Sequence, residues 1–159
     1  MSQIQVAIMM GSKSDVGVME QAAKMLKDFG VSHEMRVLSA HRTPKDTVEY
    51  VEGLKDRGTK VVICGAGMSA ALSGVVAAHT FLPVIGVPID CGFHGLDALL
   101  STSQMPPGVP VAAVAVGKAG AKNAALLALR IMALSDAAIT TKLENFSKEQ
   151  REQILGITL

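Results

Sequence analysis

Aromatic residues make up 3% of the 159-residue sequence and tryptophan is absent, so a core has to come from the aliphatic side chains that dominate its 49% hydrophobic content. Cysteine is almost as scarce. Cys64 and Cys91 stand 27 positions apart, which excludes the close pairing of a metal knuckle and the density of a secreted disulfide scaffold, and fits reduced thiols in a cytosolic protein. Charge of one sign is also missing: 15 Lys and Arg against 14 Asp and Glu leave +1, with no electrostatic basis for a nucleic-acid partner or an anionic membrane. Charged residues total only 18% and mean hydropathy is +0.36, a balance that points to surface covered by other subunits. Met1-Ser2-Gln3 carries no basic leader or cleavage signal, so no targeting peptide is expected.

The length suits a single domain over residues 1–159 that buries about 70% of its unfolded surface without disulfides or metal. Val61 to Ile89 has no Asp, Glu, Lys or Arg and is long enough to span a bilayer. Gly65, Gly67, Gly74, Gly86, Pro83 and Pro88 break it into strand, loop, helix and strand. Strands buried on both faces of a parallel sheet are equally apolar. Ile4–Met10, Val31–Leu38, Val61–Cys64, Val84–Val87 and Val109–Val116 read as five strands. Between the first two, Met19, Ala22, Ala23, Leu26 and Phe29 recur at helical spacing, and Thr43-Pro44 opens a second helix with Val48, Val51 and Leu54 facing inward. Strands alternating with helices predict a three-layer α/β/α sandwich with a parallel sheet. Asn123–Leu134 reads as a buried helix. Asp136–Leu155 is an extra amphipathic helix with no strand after it, expected to pack on a neighbouring subunit or wrap the sheet. No repeat, low-complexity segment or linker interrupts the chain.

Ligands of open parallel sheets bind beyond the carboxyl ends of the strands, and the chemistry-bearing residues cluster there. Gly11-Ser12-Lys13-Ser14-Asp15 offers amides and hydroxyls that suit a phosphate, or else Ser14 or Asp15 simply caps a helix. In Ser39-Ala40-His41-Arg42-Thr43-Pro44, Arg42 is a permanently charged fork for phosphate, and histidine is the side chain that ordinarily exchanges a proton near neutral pH. His33 and His79 read as structural, and His94 lies in a glycine-rich loop able to close over a crevice. Gly65-Ala66-Gly67-Met68-Ser69-Ala70, with Asp90 20 residues on, fits a dinucleotide fingerprint, although in the third βα unit and without a second domain. Its bland reading is a tightly packed turn. Cys91 has no evident activating partner and stays unassigned.

Taken together, Gly11–Asp15, Ser39–Pro44, Gly65–Gly67, Pro83–Pro88, Gln104-Met105-Pro106 and Asn123-Ala124-Ala125 resemble the family of N5-carboxyaminoimidazole ribonucleotide mutase and aminoimidazole ribonucleotide carboxylase, of de novo purine synthesis. The resemblance runs from about residue 4 to residue 134. It implies a flavodoxin-like subunit of a homo-octamer acting on a phosphoribosyl aminoimidazole, with no metal, nucleotide cofactor or covalent intermediate. By matching motif positions, it implies that Ser12 and Asp15 hold the ribose and carboxylate side, and that Ser14, Ser39 and Arg42 hold the phosphate. The resemblance further implies that Ala40 and Gly67 line the substrate and that His41 carries the proton while CO2 moves from N5 to C4. One stretch departs from the mutase pattern. Where that pattern continues Gly-Ala-Ala-His-Leu-Pro-Gly, this chain has Met68-Ser69-Ala70-Ala71-Leu72-Ser73-Gly74. The Ala-Leu-Ser-Gly string is similar to the carboxylase that takes free CO2, which stays as the alternative. In contrast, Arg42 and the remaining motifs resemble the mutase.

Overall fold

Valine, alanine, isoleucine and methionine fill the first strand, β1 (Val6–Met10), and all five residues are buried. A strand with no exposed face must have helices on both sides and neighbours on both edges. The computed structural model, which describes residues 3–158, supplies them; Met1, Ser2 and Leu159, two of them in the Met1-Ser2-Gln3 segment where no targeting peptide is expected, lie outside the described residues. β2 (His33–Val37), β3 (Val61–Gly67), β4 (Val84–Ile89) and β5 (Ala112–Ala113) join β1 in the order β2-β1-β3-β4-β5. Every pairing is parallel, with Val6 opposite His33 on one side and opposite Val61 on the other. β2 is the half-exposed edge, which explains its polar His33, Glu34 and Arg36.

Alternation along the strands divides the core in two. Val6, Ile8, Met10, Val61, Ile63, Ile85 and Val87 face α1 (Val16–Asp28) and α5 (Gly117–Ala133), meeting Met19, Leu26, Ala124, Ala128 and Leu129. Ala7, Met9, Val62, Cys64 and Val84 point the other way, against α2 (Pro44–Glu52) and α3 (Leu72–Ala78). α4 (Leu96–Ser103) packs on β4, where Thr102 lies so close to Gly86 that a Cβ at Gly86 would overlap its methyl. The alanines of α5 let that helix approach the sheet closely. At its start a Cβ on Gly120 would overlap the carbonyl oxygen of Ala115.

Several boundaries differ from the sequence reading. Only Ala112 and Ala113 of the expected strand Val109–Val116 pair with β4; Pro110 cannot donate to a ladder, and both paired residues are exposed on the sheet edge. The helix expected at Asn123 begins at Gly117, six residues earlier. Thr47, fully buried, takes the inner position of α2 expected of Val48, alongside Val51 and Leu54. His33 is tied by Nδ1 to the Val31 carbonyl at 3.0 Å. His79 caps the end of α3, exposed, 3.3 Å from Glu52.

The last helix, α6 (Ala137–Leu155), starts where the Asp136 carboxylate accepts from Ala138 N and Ile139 N at 3.0 and 3.3 Å. Its first half docks on this same chain. Ile139 is buried, Phe146 meets Phe29 edge-on at 5.7 Å, and Lys142 Nζ donates to the Phe29 carbonyl at 2.6 Å, placing a cation at the C-terminus of α1. Beyond Phe146 the apolar Ile154, Leu155 and Ile157 are exposed.

The two kinds of close packing predict different responses. Leu26→Ala leaves a cavity between α1 and the sheet and should lower unfolding free energy by about 2–5 kcal/mol. Gly120→Ala forces a methyl into a backbone carbonyl and should cost about 1–3 kcal/mol, with α5 displaced instead of hollowed. Urea unfolding of both variants checks this, and a neutral Gly120→Ala would contradict the close approach of α5.

Candidate active site

The strand order reverses direction at β1: the chain leaves β1 to form β2 on one side, then crosses back to form β3 on the other. Loops leaving β1 and β3 therefore part, and a crevice opens between them. A cavity of about 580 Å³ occupies that place, lined by the turns after β1, β2 and β3. This volume suits a ligand of nucleotide size. Ser12, Ser14, Asp15, Ser39, Ala40, His41, Arg42 and Gly67 all line it, so the fold brings together every residue that the family resemblance assigns to substrate or proton. His94 and Asp90 do not line it.

The first turn is built on Ser12. Its Oγ accepts from Ser14 N at 3.4 Å and from Ser14 Oγ at 2.9 Å, while its carbonyl accepts from Asp15 N at 3.2 Å. These bonds close a single 3-10 turn over Lys13–Asp15 that runs into α1. Asp15 is left 5% exposed. Burial pushes its carboxyl above the ordinary 3.8, while hydrogen bonds from Ser14 and Ser12 and the charge of Arg42 pull the other way. From sequence, Asp15 counts as an ordinary carboxylate with almost no proton at neutral pH; in the fold it is a buried one, held toward its protonated form.

The second turn leans over the first. Arg42 Nη2 donates to the Gly11 carbonyl at 2.6 Å, and Arg42 N and Nε donate to Ser39 Oγ at 3.2 and 3.4 Å. The guanidinium thereby bridges two βα turns, with further donors still facing the cavity. His41, at the tip of the same turn, is exposed at the cavity wall.

The third turn contrasts with both. Ala66, Met68, Ala70, Ala71 and Leu72 give the cavity an apolar wall. Met68 sits at φ +55°, a left-handed conformation disfavoured for any side chain, in a turn closed by Ala70 N donating to the Gly67 carbonyl at 3.1 Å. No sequence signal marks that strain. Gly65 and Gly67 lie within β3, paired to Val87 and Ile89, and are not part of a loop before a helix. A Cβ at Gly67 would overlap the Cys91 sulfur, and one at Gly65 would overlap Met19. Their smallness thus serves packing, and Asp90 spends its carboxylate on Gly92 N at 2.9 Å. Cys91 lines the cavity unannounced by any motif. Partial burial, and then the charges of Asp15, Asp90 and Asp97, raise its thiol above the ordinary value, which opposes a nucleophilic role.

Comparison with known proteins agrees with this geometry. Residues 5–153 match the family model described as AIR carboxylase. The chain is 50% identical over 155 residues to an N5-carboxyaminoimidazole ribonucleotide mutase of Saccharolobus solfataricus, covering 97% of each, and 52% identical over 147 residues to one of Pyrococcus abyssi, covering 92% of this chain and 83% of that one. The crystal structure of Treponema denticola PurE superposes with a TM-score of 0.86 at 36% identity, covering 95% of this chain and 94% of that one. With nearly its whole length matched in sequence and in fold, the chain belongs to the AIR carboxylase family.

Proposed function

We propose that this protein is an N5-carboxyaminoimidazole ribonucleotide mutase, moving CO2 from the exocyclic N5 to C4 of the imidazole in purine synthesis. The reading is carried by the meeting of His41 with Ser12, Asp15 and Arg42 around one cavity, in a chain half identical to proteins named as that mutase. Arg42, Ser14 and Ser39 take the phosphate, where a permanent charge and hydroxyl donors suit a dianion. Ser12 and Asp15 face the ribose and carboxylate side. Ala40 and Gly67 complete the wall.

The chemistry poses a proton problem that one imidazole solves. Protonated His41 gives its proton to N5 as the N–C bond of the carbamate breaks and CO2 leaves. The C4 carbon then attacks CO2, its C–H electrons return to the ring, and neutral His41 takes that proton back. Atoms and charge close without a further reactant. Asp15, buried beside the same space, is the second group able to carry a proton, but it sits among the donors that would hold the sugar.

A second reading, carboxylation of aminoimidazole ribonucleotide by free CO2, is favoured by the Ala71-Leu72-Ser73-Gly74 string, which leaves Ala71 on the cavity wall with nothing to titrate. Purified protein supplied with the carbamate should form the 4-carboxy isomer without ATP. A demand for high bicarbonate, or full loss of product when released CO2 is trapped, would move the assignment to the carboxylase. Calorimetry with NAD tests the distant oxidoreductase alternative, and tight NAD binding without response to the ribonucleotide would sink both.

The family resemblance and the sparse surface charge support a cytosolic homo-octamer of single-domain subunits. The exposed Ile154, Leu155 and Ile157 at the end of α6 are the surface that such packing would cover. Light scattering at micromolar concentration should give about eight times the 16.6 kDa of one chain; a monodisperse monomer contradicts the proposal.

His41→Asn should keep ligand affinity and lose about 10²-fold to 10⁴-fold in kcat, the range of a general acid-base group. Arg42→Ala should mainly raise KM, as the loss of uniform binding does. Steady-state kinetics of the two variants distinguish the roles, and near-parent kcat in His41→Asn would shift the proton step to another group.

A further inference from the structure

Thr43 occupies the N-cap position of α2, with Pro44 as the first helical residue. A threonine there ordinarily turns its hydroxyl forward to an amide of the first helical turn. In this protein it makes no such bond. The hydroxyl turns backward across the loop instead, accepting from Ser39 N at 2.9 Å and donating to the Ser39 carbonyl at 3.2 Å. The same carbonyl accepts from Thr43 N at 2.9 Å. Behind this bridge, the Thr43 carbonyl accepts from the hydroxyl of Thr47, a fully buried residue, at 2.8 Å.

A loop of five residues is thus closed at its neck and pinned to a buried anchor. Both backbone polar groups of Ser39 and both of Thr43 are engaged, and what protrudes is Ala40-His41-Arg42. Thr43 itself does not line the cavity. Helix capping is the ordinary use of this hydroxyl, and its diversion leaves the first turn of α2 without side-chain capping, a sacrifice with a purpose only if the neck must be rigid.

We propose that Thr43 is a positioning residue for the reaction: its two-way bridge to Ser39 fixes the neck of the Ser39–Thr43 loop and so holds His41 at the reacting atoms and Ser39 and Arg42 at the phosphate. This rests on His41 being the proton carrier of the mutase reaction. Displacement of a reacting group by about 1 Å costs on the order of 10²-fold in rate, so an unpinned loop end has a large kinetic consequence although Thr43 is not among the cavity-lining residues.

Thr43→Val keeps the branching and volume of the side chain and removes the hydroxyl; Thr43→Ala is a second hydroxyl-free variant. Both should lower kcat at least about tenfold, and Thr43→Ser should restore it to within about twofold of the parent. Amide hydrogen exchange at Ser39 should quicken in Thr43→Val and not in Thr43→Ser. In a His41→Asn background, Thr43→Val should give no further loss of kcat, because nothing remains to be positioned for proton transfer, while KM still rises through Arg42. Parent-like kcat in the hydroxyl-free variants, failure of Thr43→Ser to rescue, or losses that multiply in the double variant would each overturn the proposal. Full activity of His41→Asn is a different result: it removes the proton carrier and, with it, any need for Thr43 to aim the loop.

Discussion

The reversal of winding at β1 is the constraint on which the site depends. A parallel sheet buried on both faces must send each connection over one face or the other, and right-handed crossovers leave no choice of face once the strand order is set. The step from β1 to β2 puts α1 on one side; the steps from β2 to β3, β4 and β5 put α2, α3 and α4 on the opposite side. Consequently the turns after β1 and β3 diverge. The space between them is open because the topology cannot fill it, and the turn after β2 is the one placed to lean across.

That crevice is chemically divided. Its β1 and β2 walls carry hydroxyls, a guanidinium, an imidazole and a buried carboxyl, whereas its β3 wall is alanine, methionine and leucine apart from Gly67 and the single hydroxyl of Ser69. A ligand with a charged end and a flat, weakly polar ring would match such a division, its charged end on the donor side and its ring toward the apolar wall. The Arg42 bond to the Gly11 carbonyl ties the polar walls together, so this side is preorganised by the protein's own bonds. Burying Asp15 among these groups opposes its ionisation, a cost that substrate-binding surfaces commonly carry at the expense of stability.

Rigidity is distributed unevenly around the cavity. The β1 and β2 turns are held by side-chain hydrogen bonds of Ser12, Ser39 and Thr43. The β3 turn is held by packing and by a left-handed Met68. Polar bonds fix direction as well as distance, which suits walls that present polar and charged groups to a ligand; an apolar wall has only to exclude water and keep its shape.

Local sequence determined the element types and the membership of the site. The continuous apolar runs at Val6–Met10, Val61–Cys64 and Val84–Val87 became doubly buried parallel strands, and Gly11, Ser12, Ser14 and Asp15 of the first motif and Ser39, Ala40, His41 and Arg42 of the second line the cavity. It did not determine where pairing stops: β5 shrank to Ala112–Ala113 because an edge with Pro110 beside it has one partner strand and no second to extend its ladder. Nor did it settle what a side chain does at its place. Thr43 is a capping residue by position and a loop clasp by geometry, Gly65 and Gly67 make a nucleotide fingerprint in letters and a packing surface in space, and Asp15 is an ordinary carboxylate until α1 and the turns bury it. Propensity and periodicity act between neighbours in the chain, so they are legible in sequence. Burial, hydrogen-bond choice and the apolar wall with Cys91 depend on which strands lie side by side, and only the tertiary structure decides that.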